Sequence, residues 1–275
     1  MTQISILGCG WLGLPLAKSL IAKKLYSVNG STTSENKLQI LKDAEINPFL
    51  VTLESEIASE SIIPFLAKSE ILIIDIPPKL RGTNPDSSDA ARKIFVEKIQ
   101  ALVPFIEKST VKKVLFVSST SVYGDENGLV SEETNSNPET ESGKQLLLAE
   151  ALLQENKNFE TTILRFGGLI GEDRHPVKFL AGKENLENPD APVNLIHQND
   201  CISIIEEIII QFQWNEVFNA VAPFHPTRKE YYTQKAKEKN LVLPQFSEEK
   251  SNIKKIVSSE KIVKHLNYKF RIENY

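Results

Sequence analysis

The chain has 275 residues, 41% of them hydrophobic, which is ample for the core of one large domain or two small ones. Its formal net charge of −4, with no basic stripe carrying interleaved aromatics, excludes nucleic acid as the expected partner. Two cysteines (Cys9, Cys201) and four dispersed histidines (His175, His197, His225, His265) form neither a disulfide framework nor a metal-ligand spacing, so no metal is expected.

The start, M-T-Q-I-S-I-L-G, lacks the basic segment of a secretory leader. No apolar run approaches the ~18 residues of a membrane span. A cytoplasmic protein without membrane contact is therefore expected.

In chain order, strands are predicted at 4–7, 26–29, 49–53, 71–76, 114–118 and 162–166, several of them apolar on both faces as doubly covered strands must be. Helix-length amphipathic stretches lie between them at 11–23, 34–44, 89–108 and 142–157. That alternation predicts an α/β fold, a Rossmann-type doubly wound parallel sheet with right-handed crossovers. After residue 166 the rhythm breaks, with glycine and proline punctuating 167–192. A helix over 201–212 with Asp200 as N-cap, a short strand V-F-N-A, a helix over 227–240 and a weakly patterned tail 241–275 follow. The expected organisation is a sheet domain over 1–166, to which 196–222 returns, and a small discontinuous substrate lobe over 167–275.

G-C-G-W-L-G (8–13) follows the first strand and opens the first helix, the context that gives a G-x-G-x-x-G its meaning. Gly8 suits the tight turn, Gly10 the close approach of a pyrophosphate, and Gly13 the helix–strand packing. Trp11 and Leu12 place further backbone N–H groups at the helix N-terminus, where an anion is stabilised. The second strand ends without the carboxylate usual at an NAD site. Ser31, Thr32 and Thr33 can instead donate to a 2′-phosphate, with Lys37 one turn on, which favours NADP over NAD. The same hydroxyls also suit the cap of helix 34–44. Pro77, after the fourth strand, and Ser118, at the end of the fifth, are further candidate cofactor contacts.

The fifth strand runs into S-S-T-S-V-Y-G (118–124). A lysine follows at a helix start, then L-R-F-G-G-L-I-G-E-D-R-H-P (164–176) and V-N-L-I-H-Q-N-D (193–200). Together these motifs resemble the extended short-chain dehydrogenase/reductase superfamily, the NAD-dependent epimerase/dehydratase group, and within it the atypical members with a G-x-G-x-x-G loop. The resemblance implies a substrate-orienting Ser119 with Thr120 beside it, and a Lys144 that binds nicotinamide ribose. It also implies that Phe166, Gly167 and Leu169 run beside the nicotinamide, that Arg174 faces substrate, and that His197 and Asp200 are structural. The helices at 89–108 and 142–157 pair subunits in many relatives, so a homodimer is expected. G-W-L-G-L-P-L-A is also similar to β-hydroxyacid dehydrogenases, whose long helical second domain the later motifs do not fit.

One position departs from the pattern. The tyrosine of Y-x-x-x-K should be residue 140, and it is Thr140. A phenol near an ammonium can exchange a proton with a carbonyl; a threonine hydroxyl is far less acidic and shorter. A capping box, with Ser142 as N-cap and Gln145 three residues on, would explain the same stretch with Lys144 merely solvated. Two functions stay open. One is an NAD(P)-linked oxidoreductase or epimerase/dehydratase-like enzyme acting on a small polar substrate, sugars included, with Thr140 in a proton relay. The other is an NADP(H)-binding regulator that kept the fold and lost the chemistry.

Overall fold

Strands rich in Ile, Val and Leu can only be stable if both faces are covered, and that demand sets the architecture. The computed structural model describes residues 1–54, 60–78, 89–125 and 128–271, apart from the side chains of 89–94. The chain begins with β1 (Thr2–Leu7), α1 (Gly13–Ala22), β2 (Tyr26–Thr32), α2 (Leu38–Asp43), β3 (Asn47–Leu50), α3 (Ile62–Leu66) and β4 (Ile71–Ile74). It continues through α4 (Asp89–Glu107), β5 (Lys113–Ser119), β6 (Leu129–Val130), α5 (Glu141–Gln154), β7 (Glu160–Phe166) and β8 (Gly168–Ile170). The remainder is α6 (Val177–Leu180), β9 (Leu195–His197), α7 (Gln198–Ile210), β10 (Val217–Ala220), α8 (Arg228–Glu238), β11 (Ile256–Val257) and α9 (Glu260–His265).

Seven parallel strands form the central sheet in the order β10-β7-β5-β4-β1-β2-β3. The expected doubly wound sheet is thus present, and the late strand β10 returns to its edge. Side chains alternate across it with period two. Ile71, Ile73 and Leu115 pack on the face covered by α1 and α7, against Leu16, Leu20, Ile204 and Ile208. Leu72, Ile74, Val114 and Phe116 pack on the other face with Phe65 of α3, Ile99 and Leu102 of α4, and Leu146 and Leu153 of α5. A third apolar cluster joins Ile170, Val177 and Leu195 to Tyr231, Tyr232 and Ala236 of α8. Parallel pairs β8–β9 and β6–β11 complete the fold.

Two expected helix caps are corrected. Helix α5 is capped by Thr140, whose Oγ1 accepts the Gly143 N–H at 3.1 Å, and not by Ser142. Helix α7 is capped by His197, whose Nδ1 accepts the Asn199 N–H at 3.2 Å. Asp200, the expected cap, is buried in the first turn, where Oδ1 accepts the Tyr268 hydroxyl (2.6 Å) and the Arg271 N–H (2.8 Å). In both helices several polar residues compete for one cap, and the winner is the residue still in extended backbone. The stretch expected as one helix over 34–44 opens with a 3₁₀ turn, Glu35–Lys37, before α2. Residues 272–275 of the expected tail lie outside the described residues.

Candidate functional site

Strand order reverses between β1 and β4, and in such sheets the crevice at that point is the place for a ligand. The glycine loop leaves β1 there, and Asp75 leaves β4 beside it, its N–H donating to the Leu7 carbonyl at 2.9 Å. Gly8 holds φ +109°, and a Cβ on it would overlap the Asp75 carbonyl. At Gly13 a Cβ would overlap the Gly8 carbonyl oxygen and lie 3.2 Å from Oδ2 of Asp75. Gly10 differs: a Cβ there meets nothing within 4 Å. Two glycines are thus demanded by packing, while the third borders open space. Among the described residues no acceptor pairs with the N–H groups of Trp11 and Leu12, although the Leu12 side chain is buried in the core.

The loop at 171–174 packs against this turn. Gly171 lets the chain approach the Trp11 ring, the Trp11 indole N–H donates to Oδ1 of Asp173 at 2.8 Å, and the Arg174 guanidinium lies 4.9 Å from the ring centroid. Gln198 at the start of α7 donates to the Trp11 carbonyl at 2.6 Å. Arg174 therefore sits on the glycine-loop side of the crevice. Asp75 keeps some exposed surface as a residue, yet burial of its carboxyl pushes its pKa up to about 8. The Gly13 N–H and the Arg174 guanidinium both work against that rise.

At the end of β2 the hydroxyls divide. Ser31 is buried, and its Oγ accepts the Gly8 N–H at 2.9 Å. Thr32 is also buried, with Oγ1 accepting the Ser34 N–H at 3.2 Å. Thr33 and Lys37 are exposed. Pro77 is exposed just beyond Asp75.

Beside this, Ser119 ends β5 half-buried, its Oγ accepting the Ser121 N–H at 3.2 Å. Thr120 is buried in the 3₁₀ turn that follows. A Cβ on Gly143 would lie 2.6 Å from the Ser121 carbonyl oxygen, so the first turn of α5 is seated directly on the Ser119 turn. Thr140 and Lys144, both exposed, are delivered to that place. Gly167 donates to the Ala220 carbonyl at 3.1 Å, and Leu169 packs at the edge of the α1-side core, while Phe166 is inside it.

Ser118 points the other way. Its hydroxyl donates to Glu150 at 2.5 Å, Glu150 pairs with Arg165 (2.5 Å), and Arg165 donates to the Tyr123 hydroxyl (2.8 Å). Tyr123 in turn donates to Oδ1 of Asn219 at 2.8 Å. Burial raises the Tyr123 pKa above the usual phenol value. This tyrosine is a poor acid or base near neutral pH, and the network serves to anchor α5 on the sheet. The sequence motifs reveal neither the place of Asp75 nor the pairings of this network. The signal for Asp75 was a lone carboxylate closing the apolar run I-L-I-I-D-I.

Protein YeeZ of Escherichia coli (strain K12) is 33% identical to the chain over 273 residues, covering 98% of the chain and 96% of YeeZ. The chain belongs to the YeeZ family. No protein-family model matches it. Among solved structures, UDP-glucuronic acid 4-epimerase from Bacillus cereus in complex with NAD superposes with TM-score 0.80 at 15% identity, covering 98% of this chain and 92% of the epimerase. A short-chain dehydrogenase/reductase superfamily protein from Agrobacterium tumefaciens with bound NAD gives 0.76 at 15% identity, over 98% and 92%. The fold is thus that of the short-chain dehydrogenases/reductases, epimerases included. Among the described residues no helix is long and apolar enough to cross a membrane, and no group of three or more His, Cys, Asp and Glu could hold a metal ion.

Proposed function

We propose that this protein binds a nicotinamide dinucleotide at the β1–α1 loop and acts as an oxidoreductase or epimerase-like enzyme on a small polar substrate, sugars included. The observation that carries this reading is the cradle at Gly10. A strand–loop–helix turn leaves open space at the middle glycine, while the flanking glycines are packed against backbone. The residues there fit a pyrophosphate, with the N–H groups of Trp11 and Leu12 as donors and Arg174 as a cation beside them. The similar structures solved with NAD support the same reading.

A nicotinamide supplies or accepts a hydride when bound; the chain's own residues bind, orient and move protons. Ser119 is the substrate-orienting hydroxyl, and Lys144 holds the nicotinamide ribose from the first turn of α5. Thr33 and Lys37 are the exposed groups placed to meet a 2′-phosphate, whereas Ser31 and Thr32 are buried at the end of β2. This keeps NADP as the preferred form in the proposal.

A second reading, a dinucleotide-binding regulator without turnover, is favoured by one specific observation. Thr140 stands where the resemblance expects the acid–base tyrosine, and its oxygen is the N-cap of α5. No phenol reaches a substrate from there. A turnover assay over carbonyl compounds and nucleotide sugars separates the two readings. Cofactor binding comes first: thermal unfolding with NAD, NADH, NADP and NADPH should move upward, because a ligand of the folded state stabilises it by mass action. NADPH should move it most. No shift with any of the four would end the proposal, and a larger NADH shift would overturn the 2′-phosphate assignment alone.

A further inference from the structure

Asp75 is an acid placed at the loop that the preceding reading gives to a pyrophosphate. Its Oδ2 lies 3.2 Å from where a Cβ on Gly13 would stand, and the Gly13 N–H faces the carboxyl. The groups that face it come from three segments: the Cys9 thiol on the glycine loop, the Cys201 thiol on α7, and the Arg174 guanidinium on the 171–174 loop. Burial pushes both thiols up, Cys9 to about 12, and Asp75 adds to each rise, so neither contributes charge near neutral pH. One cation therefore stands beside one carboxyl at a loop whose middle glycine borders open space.

Resting on the dinucleotide reading, we propose that Asp75 takes up a proton when a dinucleotide binds. Its carboxyl must be neutral for a pyrophosphate to settle on the glycine loop, and affinity for the cofactor falls as that carboxyl ionises. Two like charges sharing one site raise the affinity of the weaker acid for a proton, and the phosphates are far too acidic to take it. On the alkaline side, where the carboxyl of the free protein is ionised, the proton comes from solvent and goes to Asp75, up to one for each dinucleotide bound. Arg174, over Trp11, is then left to pair with the phosphates.

In the free protein burial pushes the Asp75 carboxyl up to about 8. Bound dinucleotide raises that value, so affinity is full on the acid side and is lost as pH rises through it. Dissociation constants for NADH and NADPH, read by nucleotide fluorescence from about pH 6 to about pH 10, should be constant at first and then climb by up to ~10-fold per pH unit above about pH 8. Asp75→Asn should bind with no such climb, and Cys9→Ala should retain it. Calorimetry of wild type on the alkaline side, in buffers of different ionisation heat, should show proton uptake on binding. That measurement needs no variant to fold. A flat wild-type profile without proton uptake overturns the role given to Asp75, and so does an unchanged climb in Asp75→Asn. Failure of wild type to bind either dinucleotide at any pH removes the cofactor reading itself, and the Asp75 proposal with it.

Discussion

A side chain at Gly10 would point into open space, whereas one at Gly13 would strike the Gly8 carbonyl. The two glycines should therefore fail differently. Gly10 does not hold positive φ and a Cβ there meets nothing within 4 Å, so Gly10→Val should leave the turn intact. It should keep the wild-type far-UV circular dichroism and unfolding temperature while abolishing the NADPH-induced thermal shift. Gly13→Ala should instead lower stability by ~2 kcal/mol or more in denaturant unfolding, because backbone rather than a flexible side chain must give way. A Gly10→Val protein with unchanged cofactor affinity would reduce the loop to a turn. At this scale the sequence is informative where meaning is local. G-C-G-W-L-G carries its strand, turn and helix within a dozen residues, so its geometry was legible. Asp75 was not, because its role depends on β4 lying beside β1, a pairing of residues far apart along the chain. The hydroxyls of Ser31 and Thr32 were legible as donors near a phosphate site, but their burial, and the Gly8 and Ser34 N–H groups that donate to them, required the folded backbone.

Helix α5 is where element-level forces and site chemistry meet. Its first turn is fixed by the Thr140 cap and by the close seating of Gly143 on the Ser121 carbonyl. Its middle is fixed by Glu150, which pairs with Arg165 and accepts from Ser118 under the sheet's carboxyl end. Removing one partner of a buried ion pair leaves the other uncompensated, so Glu150→Ala should cost about 3–5 kcal/mol in denaturant unfolding. Thr140→Val should cost about 1 kcal/mol, the worth of an N-cap, with NADPH affinity nearly unchanged. Lys144→Ala, at an exposed first-turn position, should leave stability within ~0.5 kcal/mol of wild type yet weaken NADPH binding. Unaltered binding in Lys144→Ala would make that lysine a solvated side chain and remove it from the site. The helix itself was legible from its apolar spacing. Its start was not, because Thr140 and Ser142 are both competent caps and the choice depends on which residue the Ser119 turn leaves extended.

For the whole molecule, ionisable groups held neutral by burial at two separate places should set the pH profile of stability. Strand–helix alternation made the sheet legible, but not the way the late segments bury His175 under α8 or the two loops enclose Asp75. His175 is buried, its Nε2 3.0 Å from the Tyr231 hydroxyl, and desolvation with the nearby Lys239 and Lys235 lowers its pKa to about 4. Between about pH 4 and pH 6.5 the unfolded chain binds a proton there that the folded chain does not, so stability from this group rises with pH. His197 and His225, also lowered by burial, add in the same direction. Asp75 has the opposite sign. Raised from 3.8 to about 8, it is protonated in the folded chain and ionised in the unfolded one across that interval, so stability falls as pH rises through it. Each group contributes a slope of about 1.4 kcal/mol per pH unit within its window. Below about pH 6.5 the slopes oppose one another, and above it only Asp75 acts, so wild type should lose stability from about pH 6.5 to about pH 8. Asp75→Asn should remove that alkaline loss, be more stable than wild type near neutral pH, and expose the rise due to the histidines at lower pH. Urea-unfolding midpoints across the range decide it. If Asp75→Asn keeps the wild-type loss between neutral pH and about pH 8, the Asp75 carboxyl is not the protonated group that the crevice geometry makes it.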